Sequence, residues 1–273
     1  MFKEIFENVR EKSPLIHNIT NYVTVNDVAN MLIACGAAPI MADEKKEVCE
    51  ITSICTGLNI NIGTLNERTI ESMLIAGKKA NELGHPVVLD PVGVGASKLR
   101  TETAIKLIEE IQFDAIRGNI SEIKTLALGS GRTKGVDADA ADEINEGNMD
   151  SVIEMAKSFS KNTKAIITIT GKVDIVTDGE RVFKISNGHE KMSHVSGTGC
   201  QLSAVSCAFI CANRDRKLES VAAAVSAMGL AGEIAYKRLG ELDGNLSYRN
   251  YIIDAMYNLT PLALEEGAKY EII

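Results

Sequence analysis

Short apolar segments alternate with longer helix-compatible segments over most of this sequence, and that alternation restricts the fold more than any other feature. The strand-like segments lie at residues 37–41, 57–64, 86–90, 113–119 and 165–171. Helix-compatible segments separate them, and the alternation continues to about residue 186. This order is typical of βαβ units, in which helices cover a parallel sheet. We therefore predict an α/β protein, with residues 37–41 as a buried strand.

Both ends of the chain are predicted to be helical. Residues 1–14 form an amphipathic pattern without the apolar segment of a secretion signal. A further helix is expected over residues 26–36, and helices dominate from Cys200 onward, the last of them at residues 247–259. No stretch has the composition of a linker, so we expect a single domain over residues 1–273.

The composition excludes several classes of partner. The net charge of −8 disfavours nucleic acid and anionic membranes as main partners, because an acidic surface repels both. No stretch reaches the roughly 20 apolar residues of a membrane span. The six cysteines form no CxxC pair and have no histidine partner at zinc spacing, which fits a reducing compartment. We therefore expect a cytoplasmic protein whose partners are small molecules.

The stretch VSGTGCQLSA, residues 195–204, combines a glycine turn with the start of a helix. Glycine lets backbone N–H groups approach a ligand, and a helix start adds unpaired N–H groups and a positive dipole end. Together they predict a phosphoryl site formed by Gly197, Thr198 and Gly199. We expect Cys200, at its mouth, to have a pKa below the usual value of about 8.5. A plain glycine turn into a core helix explains the spacing equally well.

Charged and polar residues follow several predicted strands, where parallel sheets bind their ligands. The sequence places Asp90, Arg117, Asn119 and Thr170 there, with Glu122 one turn into the next helix. Arg117 is suited to a forked contact with phosphate oxygens, and Asp90 and Glu122 to holding Mg²⁺ through water. Helix capping and surface ion pairs are the alternative roles for these side chains.

Residues 13–26 are rich in amide and hydroxyl side chains, including Asn21 and Asn26. As a group they are suited to lining a polar small-molecule pocket. Taken singly, turns and helix caps explain them as well. His17, in the same segment, is more typical of a structural histidine than of a catalytic one.

Two other segments suggest ligand motifs but do not fit them. In residues 129–135, Lys134 is followed by glycine and the glycine spacing is wrong, which excludes a Walker A loop. The acidic residues between 137 and 150 lack the spacing of an EF-hand. We predict a solvated loop and helix start there.

Six motifs lie within residues 13–235: SPLIHNITNYVTVNDVANMLIACGAAPIMA, NIGTL, VVLDPVGVGAS, AIRGNISEI, ITGKVD and VSGTGC. In their order and spacing they resemble the motifs of hydroxyethylthiazole kinases of thiamin salvage. The resemblance implies a three-layer αβα, ribokinase-like fold with a mostly parallel central sheet and no lid domain. It implies transfer of the ATP γ-phosphoryl group to the hydroxyl of 4-methyl-5-(2-hydroxyethyl)thiazole. It also implies a homotrimer with active sites at subunit interfaces.

Residue roles follow from the same resemblance, position by position. It assigns the thiazole site to Met41, Gly197, Asn21 and Asn26. It assigns the ATP contacts to Arg117, Thr170 and Asn119. It matches the acids near Mg²⁺ with Asp90 and Glu122.

Cys200 stands where related sugar kinases carry an aspartate that accepts the proton of the hydroxyl. Phosphoryl transfer depends mainly on positioning and charge neutralisation, so little help from a base is needed. We expect Cys200 to position the hydroxyl and to assist deprotonation modestly. The N–H groups of residues 197–200, Arg117 and Mg²⁺ are expected to neutralise charge.

Three other functions stay open at this point. A nucleotide-dependent NAD(P)H-hydrate dehydratase of the same fold would end its glycine loop in GTGD, whereas Cys200 replaces that acid here. A pyrimidine kinase of the same pathway would not explain the Asn-rich motif near the N-terminus. A thiazole-binding regulator without turnover would not need Asp90, Glu122 or Arg117.

Overall fold

The computed structural model describes residues 1–129 and 147–273. Strands in these residues form one nine-stranded sheet, which lies between two layers of helices. The predicted three-layer αβα architecture is therefore confirmed. The two segments at 129–135 and 137–150 lie outside the described residues, apart from Gly129 and residues 147–150.

The elements alternate along the chain much as predicted. The helices are α1 (Phe2–Lys12), α2 (Val25–Cys35), α3 (Val48–Ile54), α4 (Glu67–Glu82), α5 (Lys98–Glu110), α6 (Ile120–Leu128), α7 (Met149–Thr163), α8 (Thr198–Ala212), α9 (Lys217–Arg238), α10 (Asn245–Asn258) and α11 (Pro261–Gly267). The strands are β1 (Leu15–Ile19), β2 (Ala38–Met41), β3 (Gly57–Asn61), β4 (Val87–Asp90), β5 (Ala115–Asn119), β6 (Ile166–Thr170), β7 (Asp174–Thr177), β8 (Val182–Ile185) and β9 (Tyr270–Ile272).

The strand order places a reversal of winding at β1. The order is β2-β1-β3-β4-β5-β6-β7-β8-β9, and β1 to β6 pair in parallel. Since β1 pairs with β2 on one side and β3 on the other, the chain winds in opposite directions from that strand. Open α/β sheets bind ligands at the carboxyl ends of strands next to such a reversal.

The predicted alternation of parallel strands and helices is wrong beyond β6. There β6, β7 and β8 pair antiparallel. The link of residues 178–181 is too short for a parallel crossover, which needs a dozen residues or more. Asp178 closes this turn by accepting the backbone N–H groups of Glu180 and Arg181, at 3.0 and 2.9 Å.

Two strands lie in segments where none was predicted. β1 falls in the polar segment, and its His17 is buried with Nδ1 3.0 Å from Thr52 Oγ1 and Nε2 2.9 Å from the Ala42 carbonyl. Both ring nitrogens therefore have structural partners, as predicted for this histidine. β9 follows α11 and pairs with β8, so the predicted helix at residues 247–259 is not the last element. β2, predicted to be buried, is half-buried because it is an edge strand.

Alternate residues of the strands contribute to two apolar cores. Val87 and Leu89 of β4 pack into the core beneath α4, α5 and α7, whereas Val88 packs into the core that α1, α2, α8 and α9 cover. Asp90 continues the alternation on the side of α8, where Ser203 is one of its hydrogen-bond partners. The carboxyl group at the end of β4 is therefore buried on the side of the sheet that α8 covers.

The segment Arg214–Arg238, which includes α9, is long and apolar enough to span a membrane by length and composition alone. In this fold, 83% of its most apolar window is buried. Small residues such as Ala223 and Gly229 let the helix pack closely against its neighbours. The apolar composition of α9 is therefore that of a core helix.

Candidate active site

The glycine turn before α8 forms a set of unpaired backbone donors. Gly197 is the N-cap of α8 and has a φ of 91°, a left-handed conformation that favours glycine. A Cβ at Gly197 would overlap the side chain of Thr24. In the described part of the chain no side chain caps α8, so the first-turn N–H groups, from Thr198 to Cys200, are available to an anion.

Arg117, on β5, lies against this first turn. A Cβ on Gly199 would come within 2.7 Å of three guanidinium atoms, so glycine is what permits the approach. The guanidinium donates to Thr170 Oγ1 at 2.6 Å and lies 3.5 Å from Asp90 Oδ1. Its side chain is only 13% exposed, and Nε has no partner among residues 1–129 and 147–273. A buried positive charge is thus fixed beside the N–H groups of α8.

Asp90, at the end of β4, is completely buried. Its Oδ2 accepts a hydrogen bond from Asn61 Nδ2 at 2.7 Å. Burial raises the pKa of Asp90, whereas the charge of Arg117 and the hydrogen bonds from Ser203 and Asn61 act in the opposite direction. A surface ion pair, the alternative role for Asp90 and Arg117, is therefore excluded.

Glu122 lies in the first turn of α6 and forms a capping box with Asn119, which precedes the helix. The Asn119 side chain accepts the Glu122 N–H at 2.8 Å, and Glu122 Oε2 accepts the Asn119 N–H at 2.8 Å. Oε1 accepts the Gly93 N–H from the loop after β4, also at 2.8 Å. Burial raises the pKa of Glu122; the Gly93 hydrogen bond opposes this shift, and the charge of Asp90 adds to it. Glu122 therefore caps its helix and lies near Asp90 at the same time.

The prediction of a lowered pKa for Cys200 is wrong. Burial raises the pKa of this thiol, and the charge of Asp90 raises it further. Hydrogen bonds with Thr24 and Asn21 lower the pKa of the thiol but do not compensate. The start of α8 favours a thiolate, yet burial beside a carboxylate disfavours it more strongly. Cys200 is therefore a neutral thiol at neutral pH.

Asn21, in the loop after β1, connects this thiol to the strand ends. Its Nδ2 donates to Cys200 Sγ at 3.3 Å and to Asn61 Oδ1 at 3.0 Å. Its Oδ1 accepts both the backbone N–H and the hydroxyl of Thr24, each at 3.1 Å. The fold thus brings Asn21 into direct contact with Cys200.

Met41 and Asn26 lie farther out than the other predicted site residues. Met41 is half-buried at the end of the edge strand β2, in register with Asn18 of β1. Asn26 is exposed on α2, and its Oδ1 accepts a hydrogen bond from Asn30 at 3.1 Å. Within one chain, Asn26 does not join the residues around Cys200. The thiazole contacts of both residues stay predictions.

The site also contains polar residues to which the sequence assigned no role: Asn61, Ser203 and Asp174. Asn61 lies between Asn21 and Asp90, and Ser203 is a partner of Asp90. Asp174 accepts the Gly171 N–H at 2.9 Å, and burial raises the pKa of its carboxyl group to about 7. Asn61 begins the motif NIGTL and Asp174 ends the motif ITGKVD, which is the only signal that marks them.

This arrangement suits phosphoryl transfer to a neutral acceptor. Backbone N–H groups and Arg117 provide an anion site, and Asn21 and Cys200 next to it offer neutral hydrogen-bonding groups that match a hydroxyl. Phosphoryl transfer requires such positioning and charge neutralisation rather than a covalent nucleophile.

Comparisons with known proteins point to the same chemistry. The family model described as hydroxyethylthiazole kinase matches residues 6–261. A hydroxyethylthiazole kinase of Clostridium acetobutylicum is 63% identical over 271 residues, covering 99% of this chain and 99% of that protein.

Solved structures extend the similarity to the fold. The structure of a hydroxyethylthiazole kinase from Pyrococcus horikoshii has a TM-score of 0.88 and 34% identity, covering 100% of this chain and 98% of that one. A pyridoxal kinase from Staphylococcus aureus in complex with ADP has a TM-score of 0.61 at 15% identity, covering 95% of this chain and 97% of that one. The second likeness concerns the fold alone, and it agrees with the predicted ribokinase-like architecture.

Proposed function

This chain belongs to the hydroxyethylthiazole kinase family, and we propose that the site at the start of α8 performs the family's reaction. The protein is a phosphotransferase that phosphorylates the hydroxyl of 4-methyl-5-(2-hydroxyethyl)thiazole in thiamin salvage, with ATP as co-substrate. One observation carries the assignment to this site. The Arg117 guanidinium lies against Gly199, which joins a fixed positive charge to the free N–H groups of α8.

In this mechanism the start of α8 holds the transferring phosphoryl group. The N–H groups of Thr198, Gly199 and Cys200 donate to its oxygens, with Gly197 providing the turn. Arg117, oriented by Thr170, makes a forked contact with the nucleotide phosphates. These donors are fixed before the reaction, so they need no rearrangement as charge develops.

Cys200 and Asn21 hold the acceptor hydroxyl next to this anion site. A neutral thiol already holds its proton and cannot accept another, so Cys200 orients the hydroxyl, whose proton passes late in the transfer to a phosphoryl oxygen or to water. Asn21 fixes the position of Sγ through its hydrogen bond of 3.3 Å. Asn119, at the end of β5, is the additional ATP contact that the motif suggests.

The donor set at Asp90 and Glu122 fits Mg²⁺. Asp90 and Glu122 lie close enough for the charge of Asp90 to raise the pKa of Glu122, and Arg117 forms an ion pair with Asp90. Both carboxylates keep lone pairs beyond those used in hydrogen bonds, and hard oxygen donors are those that Mg²⁺ prefers. In the described ranges no three His, Cys, Asp or Glu side chains converge as a metal cluster, which favours contact through water. When bound, Mg²⁺ adds to the charge neutralisation on the phosphates.

Exposed apolar side chains along α2 support a homotrimer with active sites at the interfaces. Tyr22, Val23 and Ile33 are 78%, 62% and 55% exposed, on or just before α2 and close to the edge strand β2. Apolar surface of this kind is typical of subunit contacts. In the trimer, Asn26 and Met41 face thiazole across the interface.

The remaining features support a one-domain cytoplasmic enzyme. Both apolar cores pack on the same sheet, as expected for one domain over residues 1–273. All six thiols are free, as a reducing compartment favours. The net negative charge of the chain gives it little attraction for nucleic acid or anionic membranes.

An ADP-release assay with purified protein, Mg²⁺ and ATP tests the function. The acceptors are the thiazole alcohol, hydroxymethylpyrimidine, or none. We expect ADP release that depends on the thiazole alcohol. ATP-dependent loss of hydrated NADH would indicate the dehydratase instead. Tight thiazole binding without turnover would indicate a regulator.

A further inference from the structure

Asn61, the last residue of β3, uses both ends of its side-chain amide inside the site. Its Nδ2 donates to Asp90 Oδ2 at 2.7 Å. Its Oδ1 accepts hydrogen bonds from Asn21 Nδ2 at 3.0 Å and from the Gly63 N–H at 2.9 Å. The residue is 1% exposed, so water does not replace these partners readily.

These contacts leave one orientation for two neighbouring amides. The Gly63 N–H and the Asn21 amide require the oxygen of Asn61 on their side, which directs its nitrogen to Asp90. The oxygen of Asn21 is in turn occupied by Thr24, so its nitrogen points to Asn61 and Cys200. Reversing either amide would place two acceptors or two donors face to face.

We propose that Asn61 is a positioning residue for the phosphoryl transfer, a role that rests on the proposed function. Through Asn21 it fixes the thiol of Cys200 on the acceptor side. Through Asp90 it fixes the carboxylate that pairs with Arg117 on the nucleotide side. The amide of Asn61 thus sets the relative placement of the two reacting groups, which is the main requirement of this chemistry.

A neighbour on the same strand provides a matched control. Asn59 lies two residues earlier, so it faces the same side of the sheet, and it is completely buried. Its Nδ2 donates to Asn18 Oδ1 at 3.1 Å, away from Asp90 and Cys200. Replacing Asn59 therefore removes a buried amide from β3 without removing a contact with the site.

The test compares Asn61→Leu and Asn59→Leu with the wild type. Leucine keeps the branched shape of asparagine and removes its hydrogen bonds. Thermal unfolding reports the fold, calorimetry with the thiazole alcohol alone reports the acceptor side, and ADP release gives kcat and the KM for ATP. For Asn61→Leu we expect thiazole affinity about tenfold weaker and kcat about 10- to 100-fold lower. The KM for ATP should stay within about threefold, because Arg117 keeps its bond to Thr170.

Asn59→Leu should lose stability but keep thiazole affinity, kcat and KM. Near-wild-type kcat and thiazole affinity in Asn61→Leu would overturn the proposal. So would losses in Asn59→Leu that match those in Asn61→Leu, because they would show a general effect of a buried amide. If the wild type itself shows no thiazole-dependent ADP release, the proposed function fails instead.

A second variant covers the case in which Asn61→Leu does not fold. Asn61→Ala removes the hydrogen bonds to Asp90, Asn21 and Gly63 and adds no group that could replace them. We expect thiazole affinity about tenfold weaker and kcat about 10- to 100-fold lower, as for Asn61→Leu. Near-wild-type kcat and thiazole affinity in a folded Asn61→Ala protein would refute the contacts of Asn61 as positioning contacts.

Discussion

Replacing Gly199 by alanine should disable the anion site without unfolding the protein. Gly199 lies in the first turn of α8, where alanine alone would favour the helix by up to about 1 kcal/mol. The new Cβ, however, would come within 2.7 Å of three atoms of the Arg117 guanidinium. Because that group is the end of a flexible side chain, Arg117 moves and the backbone of α8 stays. Its hydrogen bond of 2.6 Å to Thr170 is then lost.

The size of the effect follows from the contacts that Arg117 loses. Hydrogen bonds to charged groups contribute about 1.5 to 3 kcal/mol each, which corresponds to about 10- to 150-fold in affinity. We therefore expect the KM for ATP to rise by at least about tenfold. Leaving the buried Asp90 without its cation costs about 3 to 5 kcal/mol, of which the gain in helix propensity offsets up to about 1 kcal/mol. The melting temperature should therefore fall by roughly 5 to 15 °C.

The assay is ADP release at varied ATP, with the same substitution made in the wild type and in Arg117→Ala. If Gly199→Ala acts through Arg117, it adds little to the KM for ATP once Arg117 is gone. Gly77→Ala in α4 is the control, since its Cβ would overlap Ile111 in a core and should reduce stability alone. An unchanged KM for ATP in Gly199→Ala, or fully additive effects in the double variant, would refute the reasoning.

Three further changes have defined outcomes. Cys200→Ala should lower kcat by about 10²-fold, because the acceptor hydroxyl loses the group that orients it, and Cys200→Asp should preserve or raise kcat, because a carboxylate can accept the proton; unchanged kcat in the alanine variant would remove the thiol from the mechanism. Burial raises the pKa of Asp174 from 3.8 to about 7, so wild-type stability falls relative to Asp174→Asn as pH rises from about 4 to about 7, and the difference is constant above. The shift corresponds to a change of at most about 4 kcal/mol in the free energy of unfolding, which partial exposure of the side chain reduces to about 1 to 2 kcal/mol. Urea unfolding of the wild type and Asp174→Asn at pH 5 and pH 8 measures this change, and an equal difference between the two proteins at both pH values would contradict it. Ile33→Asp should convert the trimer to monomers in sedimentation, and an intact trimer would exclude the exposed face of α2 around Ile33 as the interface.

The parallel part of the sheet could be predicted because its strands are short apolar runs bounded by turn residues. β4, with Val87 to Asp90, is typical, and it also marks the site by ending in an acid. β1 could not be found in this way because His17 and Asn18 make it look polar. Their hydrogen bonds come from residues such as Thr52, which are distant in sequence, so only the folded chain shows that they are buried.

In the candidate site, too, features marked by local sequence patterns were predictable, whereas features that depend on the tertiary fold were not. Glycine spacing and strand ends were sufficient to bring Arg117, Thr170 and Asp90 to one place. The pKa of Cys200 was not predictable, because the helix start is local whereas its burial and the charge of Asp90 depend on the tertiary fold. Asn61 was missed because a single amide at a strand end has no distinctive pattern.

A structure with the thiazole alcohol and a non-hydrolysable ATP analogue is the most direct test of the anion site. We expect the terminal phosphate at the N–H groups of Thr198 to Cys200, within about 3 Å of them and of the Arg117 guanidinium. The hydroxyl of the alcohol should lie between this phosphate and Cys200 Sγ. A terminal phosphate bound elsewhere, with the first turn of α8 free of ligand, would contradict the proposed role of this turn.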